Sequence, residues 1–188
     1  MGSIYERIDD RHRNFIERQR IFFVATAPRN GRLNLSPKGM DTLRVAGPNR
    51  VLWLNLTGSG NETAAHLLED GRMTLMFCAF EGDPLTLRLY GRARAIHEHQ
   101  PAWRELIGLL PAVPGARQIV DMHVDSLQTS CGFGVPRFGY AGEREQLRQW
   151  AEKKGPEGVR RYQREKNRLS IDGRPTDAGS ADEDGPST

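Results

Sequence analysis

Apolar positions recur at every second residue over much of the first 130 positions, and at every third or fourth residue towards the two ends of the chain. Ile21 to Ala27 is apolar and rich in β-branched and aromatic residues, which predicts a strand. Pro28-Arg29-Asn30-Gly31 reads as a turn, and Arg32 to Ser36 alternates back as the partner strand. Pro37 breaks that run, because a centrally paired strand does not tolerate proline. Asp41 to Ala46 resumes it, Gly47-Pro48-Asn49 turns, and Arg50 to Leu56 is a further strand. Its Leu52, Leu54 and Leu56 share one face; Trp53 and Asn55 share the other. Arg72 to Phe80 is almost wholly apolar and reads as a strand covered on both sides. Leu85 to Ile96 alternates most clearly, with Leu85, Leu87 and Leu89 opposite Thr86, Arg88, Tyr90, Arg92 and Arg94. Gln118 to Ser130 is the last predicted strand.

Helical spacing appears in five places. Ile4, Ile8, Phe15 and Ile16 predict an amphipathic helix over 4–19, opened by a capping box of Ser3 and Glu6. Glu62 to Glu69 reads as a short helix with Asn61 as N-cap and Asp70-Gly71 as its stop. Pro101 to Leu110 presents Trp103, Leu106, Ile107 and Leu110 as a buried stripe. Glu143 to Lys154 and Glu157 to Arg168 read as two more helices. Six or seven short, closely spaced strands joined mostly by tight turns point to a small antiparallel barrel rather than an open α/β sheet.

Composition narrows the class. At 188 residues with 37% apolar positions, the chain suits one domain with appendages. No apolar run approaches the ~20 residues of a membrane span, and Met1 to Arg20 lacks a signal-peptide pattern, so a cytoplasmic location without membrane contact is expected. Cys78 and Cys131 are isolated and show no zinc spacing. The net charge is +3, but Thr176 to Thr188 holds four acids and no base, which leaves the rest at +7. That stretch, 176–188, is expected to be a disordered acidic tail. A basic body suits an anionic partner. Nucleic acid is the weaker choice, since aromatics are sparse and the basic residues cluster only in Arg160 to Arg168.

Two polar patches carry the candidate chemistry. Asn34-Leu35-Ser36-Pro37-Lys38-Gly39-Met40 offers a hydroxyl and a cation from a broken strand. Thr57-Gly58-Ser59-Gly60-Asn61-Glu62-Thr63 opens a helix, where unpaired backbone N–H groups and the helix dipole favour an anion. Gly58 and Gly60 permit close backbone approach, and Ser59, Asn61 and Thr63 add neutral donors. One phosphorylated ligand held by both patches would explain them; a plain turn and helix cap would use the same residues, and on these grounds both remain open. Arg88, near the middle of its strand, is a better ligand candidate than Arg92 or Arg94, which suit a solvated face. His97-Glu98-His99 lacks a further metal ligand nearby, and a Cys131 nucleophile would need a positioned His.

The ordered set Phe22-Phe23-Val24-Ala25-Thr26-Ala27, Leu35-Ser36-Pro37-Lys38-Gly39, Gly58-Ser59-Gly60-Asn61-Glu62-Thr63-Ala64-Ala65-His66-Leu67 and Leu89-Tyr90-Gly91-Arg92-Ala93 resembles the pyridoxamine 5′-phosphate oxidase-like, FMN-binding split-barrel family. The later Ser130-Cys131-Gly132-Phe133-Gly134-Val135-Pro136 and Lys166-Asn167-Arg168-Leu169-Ser170-Ile171-Asp172-Gly173 segments resemble a subgroup of it. The resemblance implies a mainly β fold with flanking helices, built on a six-stranded antiparallel split β-barrel over 21–136. An N-terminal helix over 1–20 would pack on the barrel, and 137–175 would be a helical extension. It implies FMN as cofactor, held by Leu35, Ser36, Pro37, Lys38, Thr57, Gly58, Ser59, Gly60, Asn61, Thr63 and Arg88, and a homodimer with FMN at the interface. The implied activity is that of an FMN-dependent oxidoreductase on a small molecule, with no catalytic side chain required. Phe133 and Val135 are candidates to cover the flavin ring. A flavin sensor or storage protein, or a deazaflavin- or haem-binding relative, is the alternative. Asn34 to Lys38 departs from the Arg-Val-Leu-Leu-Lys-like strand of the oxidase that makes pyridoxal phosphate, and the end of the chain lacks that enzyme's Trp…Arg-Leu stretch. Vitamin B6 oxidation is therefore not the expected reaction.

Overall fold

The computed structural model describes residues 2–177. Its strands are β1 (Ser3–Tyr5), β2 (Phe22–Thr26), β3 (Asn34–Lys38), β4 (Leu43–Gly47), β5 (Arg50–Leu56), β6 (Arg72–Cys78), β7 (Thr86–His97) and β8 (Ala116–Ser130). The helices are α1 (Asp10–Arg18), α2 (Glu62–Glu69), α3 (Pro101–Leu106, continued by a 3-10 turn over Ile107–Leu109) and α4 (Gln146–Lys166). The strands run in the order β3-β2-β6-β7-β8-β5-β4, with β1 added beside β8. Every pairing is antiparallel.

The sheet curls into a barrel. Phe22 on β2 meets Trp53 on β5 edge to face, with ring centres 6.0 Å apart, although β6, β7 and β8 lie between those two strands. Alternation explains which residues fill the interior. Val24, Leu75, Leu89 and Leu127 stand in one cross-strand row, and all are buried at 1% exposure or less. Phe15 and Ile16 of α1 join this core. Outside the barrel, Leu106 and Leu110 of the α3 region pack on Leu52, Leu54, Ile96 and Ile119 in a second cluster. β5 is thus covered on both faces.

Four expectations change. The sheet has eight strands rather than six or seven. Ser3–Tyr5 is a strand and not the start of a helix, because it pairs with Leu127 to Thr129 of β8. The helix begins at Asp10, and Asp9 caps it: its carboxylate accepts from the His12 N–H, and the His12 ring returns to the Asp9 N–H. The two expected C-terminal helices meet inside α4 at Gly155, whose φ of 67° is left-handed and which precedes Pro156. Thr176 is buried and bonded to Asn167, so the ordered chain reaches into the expected tail. Residues 178–188 of that tail lie outside the described residues. Among the described residues, no helix is long and apolar enough to cross a membrane.

Two bulges interrupt the ladders of β8. In the β7–β8 ladder, Tyr90 pairs with Ser126 and Gly91 with Val124. In the β5–β8 ladder, Asn55 pairs with Gln118 and Leu56 with Ala116, so Arg117 is the extra residue.

Candidate functional site

A cavity of about 730 Å³ lies between β3, the β5–α2 loop, the start of α2, the β8 bulge and the segment after α4. That volume is in the range of small-molecule sites. β3 is the edge strand of the sheet, which tolerates its proline. Strand parity turns Asn34, Ser36 and Lys38 inwards: Ser36 pairs with Val24 and Lys38 with Phe22, both core residues. Asn34 Nδ2 donates to Thr63 Oγ1 at 3.2 Å and ties β3 to the first turn of α2.

The walls hold a concentration of unsatisfied polar atoms. Among the described residues, seven buried side-chain nitrogen or oxygen atoms lack a partner. Five of them belong to residues lining this cavity: Ser36 Oγ, Asn55 Oδ1, Asn61 Nδ2, Asn61 Oδ1 and Arg117 Nε. Each such atom costs roughly 1–3 kcal/mol, so a folded chain carries few of them unless something else meets them. Asn61 stands at the N-cap of α2, yet its side chain makes no capping bond. Clefts of about 750 and 1100 Å³ lie elsewhere, and of these seven atoms only Arg117 Nε belongs to a residue on either wall.

The electrostatics point the same way. Lys38 and Arg117 both line the cavity. Burial, and then repulsion from Arg117, push the Lys38 ammonium down to about 8. Burial pushes the Arg117 guanidinium down to about 10. Two partly desolvated cations beside a helix N-terminus make a site that an anion stabilises. His66, also on the wall, is buried with its Nδ1 2.9 Å from Thr26 Oγ1, and burial lowers its pKa.

The mouth has the opposite character. Leu33 and Leu35 on one side, and Leu169 and Ile171 on the other, are 58–81% exposed. A polar floor below aliphatic jaws suits a ligand with an anionic end and a flat apolar body.

Of the eleven residues expected to bind, Leu35, Ser36, Lys38, Gly58, Ser59, Gly60, Asn61 and Thr63 line the cavity. Thr57 sits behind it, with its N–H and Oγ1 both donating to Gly115 O at 2.8 Å. Pro37 faces outwards, in a cross-strand row with Phe23, Met76 and Arg88. Arg88 is therefore on the other face of the sheet, near Ser130 Oγ at 3.4 Å. Phe133 is 80% exposed and neither it nor Val135 lines the cavity. Asn55, Arg117 and the Leu169–Ile171 rim escape the sequence reading. Arg117 has one visible signal, a lone base at the head of an apolar strand.

A profile of the family described as Pyridoxamine 5′-phosphate oxidase matches residues 8–131. The chain belongs to that family. Its sequence is 38% identical over 141 residues to the pyridoxamine 5′-phosphate oxidase family protein ustO of Aspergillus flavus, covering 72% of this chain and 57% of the relative. This chain thus spans little more than half of that relative's length. Among solved structures, HupZ of Group A Streptococcus superposes with a TM-score of 0.52 at 19% identity, over 65% of this chain and 99% of that one. A putative pyridoxamine 5′-phosphate oxidase of Lactobacillus delbrueckii gives 0.51 at 17% identity, over 65% and 94%. These two likenesses establish the split-barrel fold. The family match contains β3, the β5–α2 loop and Arg117, whereas the Leu169–Ile171 rim lies beyond it.

Proposed function

We propose that this member of the pyridoxamine 5′-phosphate oxidase family binds FMN in the cavity and serves as an oxidoreductase on a small molecule. The observation that carries the reading is the cluster of unpartnered buried atoms on Ser36, Asn55, Asn61 and Arg117 beside the Lys38 ammonium. A phosphate can accept from the donors among them, Ser36 Oγ and Asn61 Nδ2, and offsets the two cations, through charge-assisted bonds stronger than neutral ones; the Asn55 and Asn61 Oδ1 atoms are acceptors, open to donors elsewhere on the ligand. The aliphatic jaws suit a flavin ring. When bound, FMN supplies the electron and hydride chemistry; the chain binds it, orients it and excludes water. Lys38 would hold the phosphate, with Ser36, Asn61 and the N–H groups after Gly58 and Gly60 completing the set, while Arg117, bonded to Gly60 O, would offset its charge from behind the loop.

The functional unit is the barrel over 21–136, with 1–20 packed on it and 137–175 supplying part of the mouth. We include a second copy of the chain. Arg88, Phe23, Met76 and Tyr90 are only half-buried on the outer sheet face, so Arg88, turned away from its own chain's cavity, would reach a ligand only in a second copy.

The test is an absorbance spectrum of the purified protein, followed by mass spectrometry of the released small molecule. Flavin bands and a mass matching FMN support the reading. A Soret band replaces FMN with haem, and a colourless protein that added FMN cannot restore sinks it. Consumption of NADH or NADPH with candidate acceptors then separates an enzyme from a flavin store, and light scattering reads the dimer.

A further inference from the structure

The segment that follows α4 is bound to the back of the cavity loop. Asn167, at 0% exposure, stands at the centre of this contact. Its Nδ2 donates to Gly58 O at 3.0 Å, and its Oδ1 accepts from Arg117 Nη1 at 2.7 Å. The same Nη1 donates to Gly60 O at 3.0 Å. One helical turn earlier, Gln163 Nε2 donates to Thr57 Oγ1 at 2.7 Å. Further on, Thr176 bonds back to Asn167 and Arg168, and Ile171 N–H donates to the Glu62 carboxylate at 3.0 Å. Asp172 pairs with Arg32, and Arg174 pairs with Glu69. Both sides of the cavity, the approach to β3 and the helix α2, are thus fastened to one short stretch of chain.

The two loop carbonyls have a geometric consequence. In a planar trans peptide the C=O of one residue and the N–H of the next point in opposite directions. With Gly58 O and Gly60 O drawn back to Asn167 and Arg117, the N–H groups of Ser59 and Asn61 are turned away from those two side chains. Both residues line the cavity. We infer that Asn167, with Arg117, is a positioning residue for a phosphate cradle formed by the Ser59 and Asn61 N–H groups. The C-terminal segment is then a working part of the site and not an appendage. The cradle's ligand rests on the FMN reading; the positioning of the loop does not.

Asn167→Ala and Asn167→Asp test this. The aspartate keeps the shape and the acceptor for Arg117 but has no donor for Gly58 O. In the ligand-free protein, ¹⁵N relaxation is expected to take the order parameters of Gly58, Ser59 and Gly60 from about 0.85 to below about 0.6 in both variants, with β7 unchanged. FMN affinity is expected to fall about ten-fold, the effect of one lost buried bond, while affinity for riboflavin, which lacks the phosphate, changes less than about three-fold. If Asn167→Ala does not fold, Gln163→Ala, which removes the bond to Thr57 Oγ1 and a longer one to Ala116 O at 3.5 Å, is read by the same two measurements. Unchanged loop order, or equal losses for FMN and riboflavin, overturn the inference and leave the FMN reading standing. If the wild type binds neither flavin, the FMN reading fails and the order parameters alone decide the positioning role.

Discussion

The Lys38 ammonium lies 5.2 Å from the centre of the Trp53 ring, across the inside of the barrel. Trp53 is 2% exposed, so the cation rests on a buried aromatic face. A cation–π contact of this kind returns only part of the hydration that Lys38 gives up. Burial and Arg117 account for the remaining cost, which appears as the lowered pKa of about 8.

A pH dependence follows. An anion in the cavity favours charged Lys38 and raises its pKa, so FMN affinity is expected to be full below pH 8. It falls as pH rises beyond 8, by up to about ten-fold per unit, until the bound-state pKa is passed. Lys38→Met is expected to bind weakly with a flat profile over pH 7–9, below the range where Arg117 titrates, measured by flavin fluorescence. A variant that keeps the wild-type slope would remove Lys38 from the site. For the ligand-free fold the sign is opposite. Between the folded value of about 8 and the ordinary 10.5, the unfolded chain holds the extra proton. Lys38 therefore makes stability rise with pH across that window.

Ser36→Ala separates binding from folding. The hydroxyl is buried without a partner in the same row as Val24, Leu75 and Leu89. Its removal is expected to leave the thermal midpoint of the ligand-free protein unchanged or higher, because an unmet polar group is deleted. FMN affinity is expected to drop about three- to ten-fold. A lower midpoint with unchanged binding would mean that the hydroxyl serves the fold.

Gly91→Ala tests the β7–β8 bulge. An added Cβ there would lie 1.9 Å from His123 O, a backbone atom that can move only if the ladder opens. The expected loss is about 3 kcal/mol or more in urea unfolding, at the upper end of overpacking effects. Gly108, where an added Cβ meets nothing within 4 Å, is the comparison and is expected to stay within about 0.5 kcal/mol.

Asp9→Ala removes the cap of α1 and is expected to cost about 1 kcal/mol near neutral pH. The hydrogen bond from the His12 backbone N–H, more than any neighbouring charge, holds the Asp9 carboxyl below its usual range. The wild-type advantage is therefore present above the ordinary carboxylate pKa and disappears as pH falls through the folded value. Ser3→Ala, in β1, is expected to leave the helix cap unaffected. Comparable losses for both variants would return the helix start to Ser3.

Local signals were legible where the physics is local. Arg50–Leu56 and Glu62–Glu69 have the bounds that alternation and capping residues predict, because neighbours in sequence decide them. Ser3–Tyr5 misleads because its partner strand is more than 120 residues away, while Ile4 and Ile8 keep a helical spacing by chance. In the cavity, Gly58 to Thr63 and Ser36 with Lys38 announce themselves by residue type. Arg117 does not: a bulge, visible only once β5 and β8 are paired, brings it to this wall. Arg88 goes to the opposite face by strand parity, and sequence parity within one strand does not reveal which face a ligand occupies.

Pro37 has a last consequence, for the life of the chain before any ligand arrives. β3 is a sheet edge beside an open mouth with Leu33 and Leu35 exposed, the kind of border on which other chains add strands. A proline has no N–H to offer a second ladder, so this edge cannot be extended in continuous register. A newly synthesised copy can leave its mouth open without seeding a fibril along it.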